Sequence, residues 1–126
     1  MDKLKVIKNQ MNILAIRYEF MRYTQNPIYY PYYVGEITSP EQFGEEDGSE
    51  ETTLILTGFH NGDYIDLERD KDKIKKHFDP IFGFRAKTDS GAIAIFYEGA
   101  FYVPTGEANL KKIQINLKIK EWKGVK

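Results

Sequence analysis

The sequence predicts an α+β fold, in which two helices pack on one face of a mostly antiparallel β-sheet of about five strands. Two observations carry this prediction. Residues 113–119 alternate strictly between apolar and polar side chains, as a half-buried strand does. Two other segments repeat apolar residues at helical spacing, at intervals of three and four in residues 2–23 and at i, i+7 and i+11 in Leu67, Ile74 and Phe78. The predicted order is α-β-β-α-β-β-β in a single domain, residues 1–126, with 124–126 as a short tail.

The composition is that of an ordinary globular domain. Of its 126 residues, 41% are hydrophobic and 29% are charged, and the formal net charge is −1. Such a balance gives no overall attraction to nucleic acid or to an anionic membrane. The absence of cysteine excludes disulfides and thiolate chemistry. With no recognisable signal peptide, and no apolar run longer than Ala92–Tyr97, we expect a soluble protein made in the cytoplasm.

The first element is predicted to be a long amphipathic helix over residues 2–23. Its apolar stripe would cover the sheet, and Thr24–Pro27 would end it. The stripe consists of apolar residues at helical spacing: Leu4, Ile7, Met11, Leu14, Tyr18 and Met21.

A tyrosine-rich segment, Ile28–Gly35, follows. Tyrosine favours strands, but Pro31 cannot donate a ladder hydrogen bond, so we expect an edge or bulged strand. A base-stacking platform is the alternative, yet no Arg or Lys lies between Gln25 and Ile65 to accompany it. We therefore predict that these tyrosines pack on the helix or on another subunit. The candidate interface residues of this segment are Tyr29, Tyr30, Tyr32 and Tyr33.

Residues 38–51 are predicted to be an exposed, mobile acidic loop, since Glu41–Glu51 contains six acids and no base. The acids are not spaced as a calcium-binding loop requires. The loop would join the two strands of a hairpin, Tyr32–Ile37 and Thr52–Phe59.

A second helix is predicted over Asp66–Phe78. Asp63 or Asp66 would be its N-cap, and Asp79-Pro80 would end it. Its remaining positions carry alternating charges, which is typical of a face in contact with solvent.

The rest of the chain is predicted to be β. Phe82–Thr88 and Ala92–Tyr97 are strands, and Glu98-Gly99 forms a two-residue turn that folds Ala100–Val103 back as a hairpin partner. The last strand is Leu110–Trp122, with one aliphatic and one polar face.

No motif in the sequence requires catalysis. The best cluster of reactive side chains is His60, Asp63 and Asp66, close together at a strand-to-helix junction. A metal hydrolase would need further ligands there, whereas a turn with an N-cap needs nothing more. We therefore predict no catalytic residues, no cofactor and no metal, and expect a protein that binds or assembles.

Two segments are candidate sheet edges or interfaces: the tyrosine-rich segment and the last strand, whose polar face includes Lys118, Lys120 and Trp122. Charge is also segregated along the chain, because Lys111–Lys126 holds six lysines and one acid. An acidic loop and a basic tail suit a head-to-tail contact between identical subunits, and such a contact makes a ring when it closes.

In the order of its elements, nearly the whole chain resembles the tail terminator (tail completion) proteins of tailed bacteriophages. The segments that carry the resemblance are IYYPYYVGEI, TTLILTGF, LERDKDKIKKHFDPIF, AIAIFYEGAFYVP and LKKIQINLKIKEWK, together with the N-terminal helix and the acid-rich loop.

The resemblance implies a virion protein, made in the bacterial cytoplasm, that forms a hexameric ring on the head-proximal end of the tail tube. Its partners would be further copies of itself, the tail tube protein and the head–tail connector or neck protein. DNA would pass through the ring without specific binding, because acidic side chains repel phosphate. The residues predicted to line that lumen are Glu45, Glu46, Asp47, Glu50 and Glu51.

Three alternatives remain open at this point. The chain could be another neck, head-completion or tail-tube protein of the same particle. It could be a free-standing immunity or inhibitor module that binds through the acidic loop, or an enzyme that works at His60, Asp63 and Asp66.

Overall fold

A computed structural model describes residues 2–38 and 49–123. They form an α+β structure with two helices and a six-stranded, mostly antiparallel sheet, one strand more than predicted. The elements are α1 Asp2–Ile13, β1 Tyr18–Phe20, β2 Tyr32–Thr38, β3 Ser49–His60, α2 Tyr64–His77, β4 Phe84–Thr88, β5 Gly91–Val103 and β6 Lys111–Lys123. Their order in the sheet is β1-β2-β3-β6-β5-β4.

The first helix is shorter than predicted, because it ends at Ile13 and not at residue 23. Ala15 has a φ of 58°, a left-handed conformation that an α-helix cannot continue through. The chain then turns into β1, which runs parallel to β2 with Tyr18 opposite Tyr33. Ile16 and Tyr18 still reach the core, but they do so from a turn and a strand.

The predicted hairpin of β2 and β3 is present, and both strands extend into the predicted loop. Thr38 belongs to β2, and Ser49–Glu51 belong to β3. Residues 39–48 of the acidic loop and the tail, 124–126, lie outside the described residues.

The last strand is present as predicted but lies at the centre of the sheet, between β3 and β5. Its odd positions Ile113, Ile115, Leu117 and Ile119 are fully buried. They pack beneath the helices, whereas the even positions face the other way and are half-buried. The predicted edge position of this strand is therefore wrong, because both of its sides are paired.

The predicted turn at Glu98-Gly99 is also wrong. Residues 91–103 form one continuous strand, β5, which pairs with β6 along its whole length. A β-bulge between Tyr97 and Gly99 accommodates one extra residue in this strand. The two parts of β5, before and after the bulge, both pair with β6 and not with each other.

Both helices pack on the same face of the sheet. Lys73 on α2 donates from Nζ to Leu14 O at 2.8 Å, and the His77 ring lies 2.7 Å from Gln10 Oε1 on α1. Met11 of α1 and Leu67 and Ile74 of α2 are fully buried and pack in one core with the sheet. Neither helix is long and apolar enough to span a lipid bilayer, within the part of the chain that the structure describes.

Candidate interaction surface

No described helix or strand covers the side of the sheet opposite the helices. We call it the open face and define it by the side chains that alternate away from the core: Tyr32, Val34, Glu36, Glu51, Thr53, Ile55, Thr57, Phe59, Arg85, Lys87, Ala92, Ala94, Phe96, Phe101, Val103, Lys112, Gln114, Asn116, Lys118, Lys120 and Trp122. It mixes apolar and charged side chains, as protein interfaces do.

Aromatic rings form a stacked row at one end of the open face. The Tyr32 ring lies between Tyr23, at a centroid distance of 4.6 Å, and Phe59, at 5.1 Å. The Lys112 ammonium lies 5.6 Å from the centroid of Phe59. This row borders a groove of about 360 Å³. The stacking contacts stabilise this arrangement of the rings within the isolated chain.

The middle of the open face carries ionic side chains from three adjacent strands. Lys118 Nζ lies 3.1 Å from Glu51 Oε1 and 3.9 Å from Glu98 Oε2. Gln114 donates to Asn116 Oδ1 at 3.2 Å on the same strand. The half-buried side chains Lys120 and Trp122 continue this row along β6. These side chains lie on the open face, where a partner would have to meet them.

The four predicted interface tyrosines separate into different environments. Tyr29 is 58% exposed, Tyr30 and Tyr32 are half-buried, and Tyr33 has no exposed surface. Tyr33 is a correction to the predicted interface. Its ring fills the core against Gly58, and its hydroxyl donates to Asp70 Oδ2 at 3.0 Å. The side chain next in sequence to an open-face residue points into the core.

The pair of Tyr33 and Asp70 links β2 to α2 inside the protein. Burial raises the pKa of the Tyr33 hydroxyl, and the Asp70 carboxylate raises it further. Burial also raises the pKa of Asp70, against the hydrogen bond from Tyr33 that lowers it. The alternating charges of α2 predict that Asp70 lies on a solvated helix face, yet only 15% of its side chain is exposed. The alternating charges of α2 gave no sign of which acid would turn inward.

The acidic residues predicted to line a lumen are described only in part. Glu50 and Glu51 follow Ser49 at the start of β3 and point to opposite faces of the sheet, with Glu51 on the open face. Glu45, Glu46 and Asp47 lie outside the described residues.

The predicted reactive cluster is only partly assembled. His60 is 6% exposed, and its Nε2 lies 2.8 Å from Asp66 Oδ2 at the start of α2. Asp63 is instead the N-cap of α2, since its carboxylate accepts a hydrogen bond from Ile65 N at 2.9 Å. His60 Nδ1 is buried and has no hydrogen-bond partner among the described residues.

This arrangement joins a strand end to a helix start. One carboxylate reaches the histidine, and the other caps the helix, so the two acids do not converge on one point. No group of three His, Cys, Asp or Glu side chains is placed to hold a metal ion in residues 2–38 and 49–123. The geometry supports the turn and N-cap interpretation of this segment.

Substituting Asp63 tests the capping role directly. We expect Asp63→Ala to lower the free energy of unfolding by about 1 kcal/mol, because the Ile65 N–H loses its acceptor. Asp63→Ser is the matched control, since serine caps about as well as aspartate and should retain most of the stability. Chemical denaturation of the three proteins measures the effect. Equal losses for both variants would contradict the capping role.

The sequence matches no protein-family model and no curated protein. The open face and the sheet edges therefore have to be interpreted from their own chemistry.

Proposed function

We propose that this chain is a self-assembling structural subunit of a tailed-phage particle, a tail terminator whose copies form a ring on the tail tube. The observation that carries the proposal is the open face, a wide sheet surface whose aromatic and ionic side chains contact one another and which no described helix or strand covers. Such a surface suits a protein that functions by binding other protein subunits.

The arrangement of the resembling segments supports the same function. The long terminal strand and the strand pair around the acid-rich segment belong to one sheet. The N-terminal helix and the second helix pack on one face of that sheet and share its core. A ring subunit needs such a packed body, because neighbours must meet at a fixed angle for the ring to close. In the particle, the ring would contact the tail tube on one side and the connector on the other.

Light scattering coupled to size-exclusion chromatography tests the assembly. We expect the purified chain to elute as one closed oligomer, a hexamer, and electron microscopy of that fraction to show rings. A monomer at the highest attainable concentration would contradict the proposal and favour a free-standing binding module. Such a module would lose its partner when Glu45, Glu46 and Asp47 are neutralised, whereas a ring would still assemble.

The lumen prediction has a separate test. Replacing Glu45, Glu46, Asp47 and Glu50 with lysine should leave ring assembly intact but slow the passage of DNA, because lysines bind phosphate where acids repel it. Glu51 is left unchanged in this variant, since its carboxylate lies 3.1 Å from Lys118 Nζ on the open face. Infectivity and the rate of DNA ejection measure the effect. Asp72→Lys, on the exposed side of α2, is the charge-reversal control. Unchanged infectivity of the lysine variant would contradict the lumen assignment.

A further inference from the structure

The two edges of the sheet are covered unequally by short strands. On one edge, β4 covers only Gly91–Ile95 of β5. On the other edge, β1 covers only Tyr33–Gly35 of β2. No other described strand lies beyond these two. Each edge of the described sheet is therefore stepped.

The steps lie at opposite ends of the sheet. Following the register across β2, β3 and β6 places Val34 level with Phe101, so β1 is level with the uncovered part of β5. β4 lies at the other end, level with the start of β3. β1 therefore extends one edge of the sheet at the level where the opposite edge, beyond β4, ends at β5.

The uncovered part of β5, Gly99–Val103, has the character of a strand that accepts another strand. It contains no charged residue and no proline, and Phe101 is 51% exposed. Tyr97 directs its N–H away from β6, to Phe78 O at 2.7 Å. Because one extra residue in the bulge shifts the alternation, Ala100 and Tyr102 direct their backbone groups outward. Exposed edges of this kind pair with other chains.

We propose that the uncovered edge of β5 binds β1 of a second copy of this chain, so that the sheets of neighbouring subunits join head to tail. This inference rests on the proposed ring, for which it names the contact. β1 runs parallel to β2, and β5 runs antiparallel to β6, so β1 of the neighbour would add to β5 in the antiparallel direction.

The backbone of β1 is suited to this pairing. Arg17 O and Met21 N bond to the backbone of β2, so Tyr18 and Phe20 direct their backbone groups outward. Tyr18 O already accepts from Lys8 Nζ at 2.6 Å, but a carbonyl oxygen has a second lone pair. Joining the edges would cover Phe20, which is 36% exposed, on the helix side opposite Ala100, and Phe101 on the open face opposite Glu19.

Charge favours the head-to-tail arrangement over a two-fold pairing of β5 with itself. Arg85 on β4 is exposed on the open face, level with Ala94, Lys120 and Glu51. In the joined sheets, Glu51 of the next copy would lie two strand spacings from Arg85, about 10 Å, within the combined reach of the two side chains. A two-fold contact would bring no acid of β3 to β4, because β3 would lie on the far side of each sheet.

Engineered cysteines test the contact, because the native chain contains none. With the edges joined in the aligned register, Glu19 would lie opposite Phe101 in a non-hydrogen-bonded pair, at a Cα distance of about 4.5 Å that permits a disulfide. Within one chain, β1 and β5 are four strand spacings apart, about 19 Å, so the same disulfide cannot form inside a subunit.

Mild oxidation of Glu19→Cys/Phe101→Cys should give a ladder of covalent oligomers up to the size of the ring on a non-reducing gel. The pair Glu36→Cys/Phe101→Cys is the control for random collision, since Glu36 is exposed on the open face at another level. We expect at least a tenfold slower reaction for the control pair.

Each other outcome overturns the proposal in a different way. Rings on light scattering without the expected ladder would refute this contact and leave the proposed function standing. Covalent dimers from Phe101→Cys alone would show a two-fold pairing of β5. Monomers throughout would refute both the contact and the ring.

Discussion

Replacing Leu117 with alanine is expected to lower the free energy of unfolding by about 2–5 kcal/mol. Leu117 has no exposed surface and lies at the middle of the central strand, opposite Leu54 on β3 and Tyr97 on β5. Removing its side chain leaves a cavity under both helices, and strands paired on both sides cannot move to fill it. Urea denaturation followed by circular dichroism measures the loss.

Lys120→Ala on the same strand is the control. Lys120 lies on the open face, so its truncation should change the free energy of unfolding by no more than about 0.5 kcal/mol. Similar losses for the two variants would mean that the two faces of β6 are not distinguished as described. The comparison also tests the register, because a shift of one residue would exchange the faces.

The strong alternation of β6 is why its structure could be predicted from the sequence. A period of two over 113–119 fits only a strand with one buried face, whatever surrounds it. The position of β6 in the sheet is another matter. Strand order depends on which segments pair over long distances, and the last strand in the chain proved to be the central one.

The first helix shows how apolar spacing can mislead. Tyr18 continues the helical spacing of Ile7, Met11 and Leu14, and it does contact the same core. It does so from β1, because the left-handed turn at Ala15 redirects the chain. Apolar periodicity reports which side chains face a core, and the backbone between them can change conformation without changing that pattern.

The candidate surface was the least predictable part. Tyr29 and Tyr32 were expected at an interface and lie at the surface, whereas Tyr33 is buried. The sequence does not single out Phe101 and Arg85, because their part in the proposed contact depends on which stretches of β5 and β2 lack a described neighbouring strand. That information lies in the lengths of β1 and β4, and short edge strands give only weak patterns in a sequence.

Gly58→Ala is expected to lower the free energy of unfolding by about 1–3 kcal/mol, although alanine is ordinarily tolerated in strands. A Cβ at this position would lie 2.8 Å from Tyr33 Cδ2 and 2.9 Å from Ile113 Cγ2. Neither neighbour can withdraw easily, since both are fully buried and the Tyr33 hydroxyl is bonded to Asp70. Gly99→Ala is the matched control, because a Cβ there meets no atom of the described residues within 4 Å.

A double-mutant cycle separates this contact from a general loss of strand stability. Tyr33→Leu creates space beside Gly58, so Gly58→Ala should cost less in the Tyr33→Leu background than in the native chain, by at least about 0.5 kcal/mol. Additive losses would mean that the Tyr33 ring is not the cause of the stability lost in Gly58→Ala. The coupling would establish that β3 has a glycine at position 58 because the Tyr33 ring crosses the backbone there. This contact holds Tyr33 in the core, whereas its neighbour Tyr32 lies on the open face.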